Sequence, residues 1–311
     1  MSFPEAVPKG RLVIEGDAVR PRRWLEQLIG VALLGCALVS ILTTVGIVVV
    51  LVVEAAQFFR EVSVVEFLTG TKWSPKLSSE FGILPLLCGT LLVTGGSAVI
   101  ALPIGLLSAI YLSEYASNSV REIIKPVLEV LAGIPSVVFG YLAIVTVSPA
   151  IRSVFPSAGV FNAASASVVV GFMVLPMVIS LSEDVIRSVP RSLREAAYAL
   201  GATKLDVTVR VVVPAAISGI VAAFLLALSR AIGETMAVAL AAGNTPKITL
   251  NPLESVQTMT AYIVQVSQGD TPAGTLEYRT IFAVGLALFV TTMFLNILAQ
   301  WFVARVREKY E

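Results

Sequence analysis

Long uncharged stretches alternate with short polar segments along this chain, and six of the stretches are long enough to cross a membrane. A transmembrane helix needs about 20 consecutive, mostly apolar residues. We therefore predict an all-α integral membrane protein, with a polar N-terminal tail over residues 1–23 and a six-span domain over residues 24–311. The predicted spans cover residues 27–53, 81–113, 130–151, 164–182, 211–242 and 280–304.

The charges of the loops predict how these spans are oriented. If both chain ends are cytoplasmic, the inner segments hold fifteen Lys and Arg residues and the outer loops hold six. Cytoplasmic loops of membrane proteins carry an excess of Lys and Arg. We therefore predict cytoplasmic N and C termini and a cytoplasmic loop over residues 183–210, in a multi-pass protein of the cell inner (plasma) membrane.

Composition narrows the possible function classes. The chain is 56% hydrophobic and 14% charged, whereas soluble domains are about 25% charged. A net charge of +1 and the absence of histidine predict no nucleic-acid binding and no catalytic or metal site. Cys36 and Cys88 lie in apolar runs and are predicted to be free thiols. The sequence contains no G-x-x-x-x-G-K-[ST] motif, so ATP would have to bind another chain.

The polar segment over residues 192–214 interrupts two strongly apolar stretches. Ser192 and Glu195 have the spacing of a capping box, which predicts the start of a helix. Gly201 can end that helix in a left-handed conformation, and Thr203 with Asp206 offers a second cap. These signals predict two short helices bent at a glycine, which would suit a docking element. The alternative is an amphipathic loop that lies on the lipid surface.

Charged residues lie inside only one predicted span, the fifth. Arg230 and Glu234 are four residues apart, so on a continuous helix they would share a face and could pair. Arg230 lies about 24 Å along that helix from Pro214, past the midplane toward the outer side. Charges within a membrane are costly and usually face a bundle interior or a water-filled path. The pair would either fix helix packing or line a path, where the arginine fork suits phosphate or carboxylate oxygens.

A proline lies inside the third predicted span, in the run Ile134-Pro135-Ser136. Proline in a membrane helix removes a backbone hydrogen bond that neighbouring groups then replace. We predict a helix kink at Pro135. The kink would either shape the helix only or provide a flexing point near a path.

Several segments resemble a known transporter family. Glu195-Ala196-Ala197, Gly201 and the V-x-V-P run over residues 211–214 resemble the EAA loop of ABC-importer permeases. Residues 228–238 (LSRAIGETMAV), 131–140 (LAGIPSVVFG) and 67–75 (FLTGTKWSP) resemble the phosphate-importer permease of the PstC type. The resemblance implies a type I (MetI-like) permease fold and the import of inorganic phosphate. It also implies residue roles: Glu195, Ala196, Ala197 and Gly201 in coupling to an ATPase, and Ser229, Arg230, Glu234 and Thr235 on the translocation path.

The same resemblance implies the assembly in which the chain works. A PstC-type permease pairs with a related PstA-type permease, two PstB-type ATPases that hold ATP and Mg²⁺, and an extracytoplasmic PstS-type phosphate-binding protein. The chain itself, embedded in the lipid bilayer, would bind no cofactor and would not be an enzyme. The alternatives are the PstA-type sister subunit, a permease for another oxyanion, or a stand-alone secondary anion transporter. A secondary transporter often shows internal repeats, and residues 27–151 and 164–304 show no convincing repeat.

Overall fold

The computed structural model describes residues 23–76 and 78–306, which are almost entirely helical. Most of the predicted N-terminal tail and the last residues of the C-terminal tail lie outside the described part of the chain. The chain divides into two compact units, one ending at Val50 and the other beginning at Leu51. In the first unit the described residues form the N-terminal part of helix α1, Arg23–Glu61.

The second unit contains the rest of α1 and the other elements in chain order. Two-residue strands β1, Trp73–Ser74, and β2, Glu80–Phe81, pair antiparallel, and π-helical turns at Tyr111–Tyr115, Ala143–Val147 and Thr208–Val212 continue several of the helices. The helices are α2, Val64–Thr69; α3, Leu84–Ile110; α4, Asn118–Ala132; α5, Ser136–Leu142; α6, Ser148–Val154; α7, Ala163–Ser188; α8, Arg191–Ala199; α9, Lys204–Val207; α10, Val213–Ile232; α11, Met236–Ala241; α12, Met259–Gln268; and α13, Leu276–Val306.

The all-α membrane fold is confirmed, because six helical segments within the described residues are long and apolar enough to cross a membrane. Their bounds differ from the predicted ones where turns and breaks interrupt the hydropathy pattern. The prediction of one continuous fifth span over residues 211–242 is wrong. The helical segment of that span runs Lys204–Ile232, and the chain then breaks before α11. The six segments are Gln27–Glu61, Leu84–Tyr115, Ser136–Val154, Ala163–Ser188, Lys204–Ile232 and Leu276–Arg305.

Helix α7 lies at the centre of the second unit, where it packs against α3, α4, α5 and α10. Its contact with α3 is close because small residues face the partner helix. A Cβ atom built at Gly105 would lie only 2.5 Å from Val178 Cγ1. Small residues at such positions let membrane helices approach closely, which is how these helices gain packing energy in lipid. The α3–α7 pair therefore forms a frame on which the less regular spans are arranged.

An aromatic cluster joins the first predicted outer loop to α12 and supports the predicted outer end of the bundle. Trp73 in β1 meets the Tyr262 ring edge-to-face with centroids 4.9 Å apart, and Phe81 in β2 meets Phe58 at 5.4 Å. Edge-to-face ring pairs add stabilisation beyond their buried area.

Loop 243–258 covers the start of α7, where the Ala163 N–H donates to the Glu254 carbonyl at 3.0 Å.

Two adjacent glycines in α3 provide a matched test of the α3–α7 contact. A Cβ atom at Gly96 would overlap Ser167 Oγ and lie 2.8 Å from Ser167 Cβ, whereas a Cβ atom at Gly95 would meet nothing within 4 Å. We expect Gly96→Ala to destabilise the protein by about 1–3 kcal/mol through overpacking. Gly95→Ala should be neutral or slightly stabilising, because alanine favours helix more than glycine does.

The measurement is the melting temperature of the purified protein in detergent. The double variant Gly96→Ala/Ser167→Gly should recover most of the loss, since it removes the side chain that the new methyl group meets. Equal melting temperatures for Gly95→Ala and Gly96→Ala would contradict the close packing.

Candidate functional site

The fifth span is broken inside the predicted membrane region, at Gly233-Glu234-Thr235. The Glu234 carboxylate accepts a hydrogen bond from the Ala237 N–H at 3.1 Å, and Thr260 Oγ1 donates to the Glu234 carbonyl at 2.8 Å. Thr235 Oγ1 donates to the Gly233 carbonyl at 3.0 Å. The backbone groups freed by the break are thus partly satisfied by side chains, as a membrane environment requires. Glu234 acts here as the cap of the short helix α11.

Arg230 lies in the last turn of α10 and its side chain is exposed. The predicted pairing of Arg230 with Glu234 is wrong: across residues 23–76 and 78–306, no ion pair or hydrogen bond involves the Arg230 side chain. The physical reason is the end of α10 at Ile232, which removes the helical spacing that pairing requires. The carboxylate then turns to α11. Arg230 is near the carbonyl end of α10, where the helix dipole favours a cation.

A cleft of about 420 Å³ opens between α4, α7 and α10, and Arg230 is part of its wall. Most of the lining is apolar, and the charged groups come from α4 and α10. A guanidinium in the wall of a mostly apolar cleft offers hydrogen-bond donors that an anion can use. The lining residues are Lys125, Leu128, Glu129, Ala132, Met173, Pro176, Met177, Ser180, Leu181, Leu226 and Arg230.

The four residues predicted for the path do not share one surface. Ser229 points to α13, where its hydroxyl donates to Asn296 Oδ1 at 2.7 Å. Glu234 and Thr235 lie in the break, and only Arg230 lines the cleft. The structure therefore brings Arg230 to a cavity and gives its three neighbours contacts that hold the helices around it.

The predicted kink at Pro135 is instead a break between two helices, and the third span of the structure, Ser136–Val154, begins after it. Helix α4 ends at Ala132, and Pro135 takes the extended φ of −58° and ψ of 136° before α5 begins. Beyond the break, α5 packs closely on α11. A Cβ atom at Gly140 would lie 2.8 Å from Leu240 Cδ1 and 3.1 Å from Ala237 Cα. The segments that follow the two breaks therefore pack against each other, next to the cleft.

The docking segment, defined here as residues 191–207, consists of α8, a glycine turn and α9. The predicted capping box of Ser192 and Glu195 is wrong. Helix α8 begins at Arg191, and Pro190 occupies the cap position without a side-chain hydrogen bond. Ser192 is already helical, because the fixed φ of Pro190 sets the start of the helix one residue earlier. Glu195 and Ala196 are exposed on α8, and Ala197 is half-buried.

The glycine turn in the docking segment has the predicted form. Gly201 adopts φ +81°, the left-handed region that favours glycine. Thr203 caps α9 by accepting a hydrogen bond from the Asp206 N–H at 3.3 Å. The turn carries apolar side chains to the surface, with Leu200 89% exposed and Leu205 65% exposed.

Arg194 ties the docking segment to the spans, a role that sequence reasoning did not assign. Its guanidinium donates to the carbonyls of Val189 and Ile186 and pairs with Glu114 at 2.9 Å. Because the residue joins α8 to the end of α7 and to the turn after α3, movement of α8 would pull on both. The local sequence around Arg194 did not indicate these contacts, because Glu114 lies eighty residues away along the chain.

The role of Glu234 can be tested by two substitutions. If Glu234 serves as a cap, Glu234→Gln should retain most transport, because the glutamine carbonyl can still accept from the Ala237 N–H. Glu234→Ala should lose the cap at a cost of about 0.5–2 kcal/mol and lower activity and stability together. The measurement is transport by the assembled protein alongside its melting temperature. A strong loss for Glu234→Gln at unchanged stability would show that the negative charge itself is needed.

Comparison with known families gives a match over most of the chain. The sequence model described as "Binding-protein-dependent transport system inner membrane component" matches residues 101–308. The matched region includes both breaks, the cleft and the docking segment.

Comparison with curated proteins gives relatives along nearly the whole chain. The Bacillus subtilis protein named "Probable ABC transporter permease protein YqgH" is 37% identical, over 92% of this chain and 94% of its own length. The "Phosphate transport system permease protein PstC" of Mesorhizobium japonicum is 34% identical, over 77% of this chain and 78% of its own length. The Mycobacterium bovis "Phosphate transport system permease protein PstC 1" is 32% identical, over 87% and 90%.

Solved structures with low sequence identity share the fold. A chain of a bacterial ABC transporter involved in the import of the acidic polysaccharide alginate matches with a TM-score of 0.66 and 16% identity, over 92% of this chain and all of that one. A chain of the MetNI methionine ABC transporter, in an inward-facing conformation, matches with a TM-score of 0.55 and 19% identity, over 73% of this chain and 95% of that one. These likenesses support the predicted MetI-like arrangement of the helices.

Proposed function

Because this chain belongs to the family of binding-protein-dependent transport system inner membrane components, we propose that it is the PstC-type permease subunit of an ATP-driven importer of inorganic phosphate. The chain is a multi-pass inner membrane permease of the ABC-importer class. Its relatives are permease subunits.

One observation carries the proposal for the substrate: Arg230 is free of partners among residues 23–76 and 78–306 and faces the cleft between α4, α7 and α10. A guanidinium offers donors in a planar fork that matches the oxygens of phosphate bidentately. Relatives named as phosphate transport permeases favour phosphate over other oxyanions.

The docking segment is proposed to couple the permease to an ATPase subunit. Its exposed apolar side chains at Leu200 and Leu205 are suited to a groove on a partner protein. Glu195, Ala196 and Ala197 lie on α8, and Gly201 sets the angle between α8 and α9. Arg194 would transmit the movement of α8 to the spans. The alternative for this segment is binding to the lipid surface. That alternative explains the exposed leucines but does not explain why Arg194 connects α8 to α7 and Glu114.

The remaining subunits are proposed by analogy with the relatives. A second permease of the PstA type would complete the translocation path, two PstB-type ATPases would hold ATP and Mg²⁺, and a PstS-type protein would deliver phosphate on the outer side. Both termini and the docking segment would then be cytoplasmic. The alternatives to a PstC-type phosphate permease are the PstA-type sister subunit and a permease for another oxyanion. A stand-alone secondary anion transporter would need no docking segment.

The proposal is tested by uptake in a reconstituted system. The chain is co-expressed with its candidate partner subunits, purified by a tag on this chain and incorporated into proteoliposomes with the binding protein outside. We expect ATP-dependent uptake of phosphate labelled with ³²P and co-purification of an ATPase. Uptake of sulfate or molybdate in place of phosphate would support the other-oxyanion alternative. Uptake without any ATPase would support the secondary transporter.

A further inference from the structure

A buried cluster of charges lies at one end of the cleft that contains Arg230. Its centre is Glu183 on α7, whose side chain is completely buried. Lys125 Nζ lies 2.6 Å from Glu183 Oε2, Arg121 Nε lies 3.3 Å from Oε1, and Arg187 lies 4.0 Å from Oε1. Lys125 also contacts Asp184 at 2.9 Å. The cluster joins α4 to α7.

The cluster holds more positive charge than its acids require. A buried carboxylate is tolerated only when it is paired, but here three cations face two carboxylates, which leaves one positive charge in excess. Arg230 and Glu129, one group of each sign, complete the charged lining of the cleft. The close contact with the Glu183 carboxylate raises the pKa of Lys125 above its ordinary value.

The three cations of the cluster are not equivalent. Arg121 already donates to the carbonyls of Leu112 and Ser113, and it lines a separate pocket beside α8 together with Arg187. Of the three, Lys125 is the one that lines the cleft, with 30% of its side chain exposed. Its ammonium group is therefore the one that an ion in the cleft could reach.

The position of Lys125 relative to Arg230 follows from how α7 and α10 pack. A Cβ atom at Gly219 would lie 2.9 Å from Val185 Cγ2, so the start of α10 lies beside the end of α7. Arg230 follows Gly219 by eleven residues, which is about 16 Å along a helix. Glu183 and its partner Lys125 lie near the level of Val185. The two cations therefore occupy opposite ends of one cleft, Lys125 at the end predicted to face the cytoplasm.

We propose that Lys125, positioned by the buried Glu183, is a second anion-binding residue of the cleft, which receives the transported phosphate after Arg230. This inference rests on the proposed function. An ammonium group is a compact point charge that contacts phosphate without a bidentate fork. Glu183 and Asp184 compete with the anion for Lys125, so the ion is not retained. Movement of an ion requires several sites that each bind weakly enough to release it.

The simpler alternative is that Lys125 only neutralises Glu183. Removing Lys125 alone would then leave a buried unpaired charge and destabilise the protein, whatever its role in transport. A variant that removes both charges distinguishes the two explanations. Lys125→Met/Glu183→Gln keeps the side-chain sizes and removes the buried carboxylate together with its closest cation. Asp184, which loses its contact with Lys125, is 58% exposed to solvent, and Arg121 keeps its bonds to the Leu112 and Ser113 carbonyls.

The experiment measures phosphate uptake by the assembled transporter in proteoliposomes, normalised to the amount of complex and accompanied by its melting temperature. We expect Lys125→Met/Glu183→Gln to assemble normally and to transport phosphate at about one tenth of the wild-type rate or below. A loss of this size corresponds to one charge-assisted contact. Lys125→Arg should keep most uptake, since it preserves the charge. Asp270→Asn, which removes an exposed carboxylate that belongs neither to the cleft nor to the cluster, should assemble normally and keep uptake. Wild-type uptake by the double variant would overturn the proposal.

A phosphate group could also come from a lipid headgroup, so the assay is run in phosphatidylcholine alone and with added phosphatidylglycerol. Equal loss in both lipid mixtures is expected. A loss seen only with phosphatidylglycerol would assign Lys125 to headgroup binding and overturn the proposal. Failure of the proposed function has a separate signature: the wild-type complex would then transport no phosphate. If the wild-type complex transports phosphate and the double variant does so equally well, only the role of Lys125 fails.

Discussion

Replacing Arg230 with lysine is expected to lower phosphate uptake by about tenfold or more, because lysine keeps the charge but loses the two-point contact with phosphate oxygens. Arg230→Gln should lower uptake at least as far, since it removes the charge as well. Arg230 has no partner within residues 23–76 and 78–306, so neither substitution leaves an unpaired carboxylate. We therefore expect both variants to assemble at near-normal levels.

The measurement is uptake of ³²P-labelled phosphate in proteoliposomes, normalised to assembled complex. Arg152 provides the matched control, because it is an exposed arginine in the predicted outer turn and does not line the cleft. Arg152→Lys and Arg152→Gln should transport normally. Normal uptake by Arg230→Gln would contradict a role for this residue on the path. Poor assembly of both Arg230 variants would indicate that the residue serves helix packing.

Replacing Gly201 with valine is expected to uncouple ATP hydrolysis from transport. A β-branched residue in the left-handed region strains the backbone by about 1–2 kcal/mol, and Gly201 has φ +81°. A Cβ atom at this position would meet nothing within 4 Å, so the effect would come from the backbone and not from a clash. The turn relieves the strain by changing the angle between α8 and α9. The spans stay folded while the docking segment loses its fit to the ATPase.

Gly274 supplies a closely matched control for this change. It has φ +86°, no atom within 4 Å of a built Cβ and a place in the predicted outer loop before α13. Gly274→Val should cost similar stability without uncoupling, and Gly201→Asn should stay coupled because asparagine tolerates the left-handed region. The readout is phosphate transported per ATP hydrolysed. Normal coupling in Gly201→Val, with the ATPase bound, would contradict the proposed role of the turn.

The break in the fifth span leaves the Arg230 side chain without a neutralising partner among residues 23–76 and 78–306. If the fifth span continued as a helix through Gly233, Glu234 would lie one turn beyond Arg230 and could neutralise it. The break turns the Glu234 carboxylate to the N–H of Ala237 instead. The break at Pro135 ends α4 on the other side of the cleft. An unpaired cation in a mostly apolar cleft is an arrangement suited to transient binding of an anion.

The sequence by itself determined the features that depend on local chemistry. Hydropathy predicted the membrane class and the approximate place of each span, because a helix must be apolar over its own length to lie in lipid. The left-handed turn at Gly201 and the cap at Thr203 were predicted correctly, because both depend on residues within one or two turns of the chain. The motifs around Glu195 and Arg230 indicated the family, because the same local patterns recur in its members.

Only the tertiary structure decided how the charges are paired. No sequence pattern indicated that Glu183 would meet Lys125 and Arg121, because Glu183 lies more than fifty residues from both along the chain and meets them only through the packing of α4 on α7. Spacing predicted a pair between Arg230 and Glu234, but the pair is absent because α10 ends at Ile232. Thr260 on α12 donates a hydrogen bond to the Glu234 carbonyl and so holds the backbone of the break. Which charge is neutralised and which faces the cleft depends on the residues opposite it on other helices, and a pattern along one helix does not contain that information.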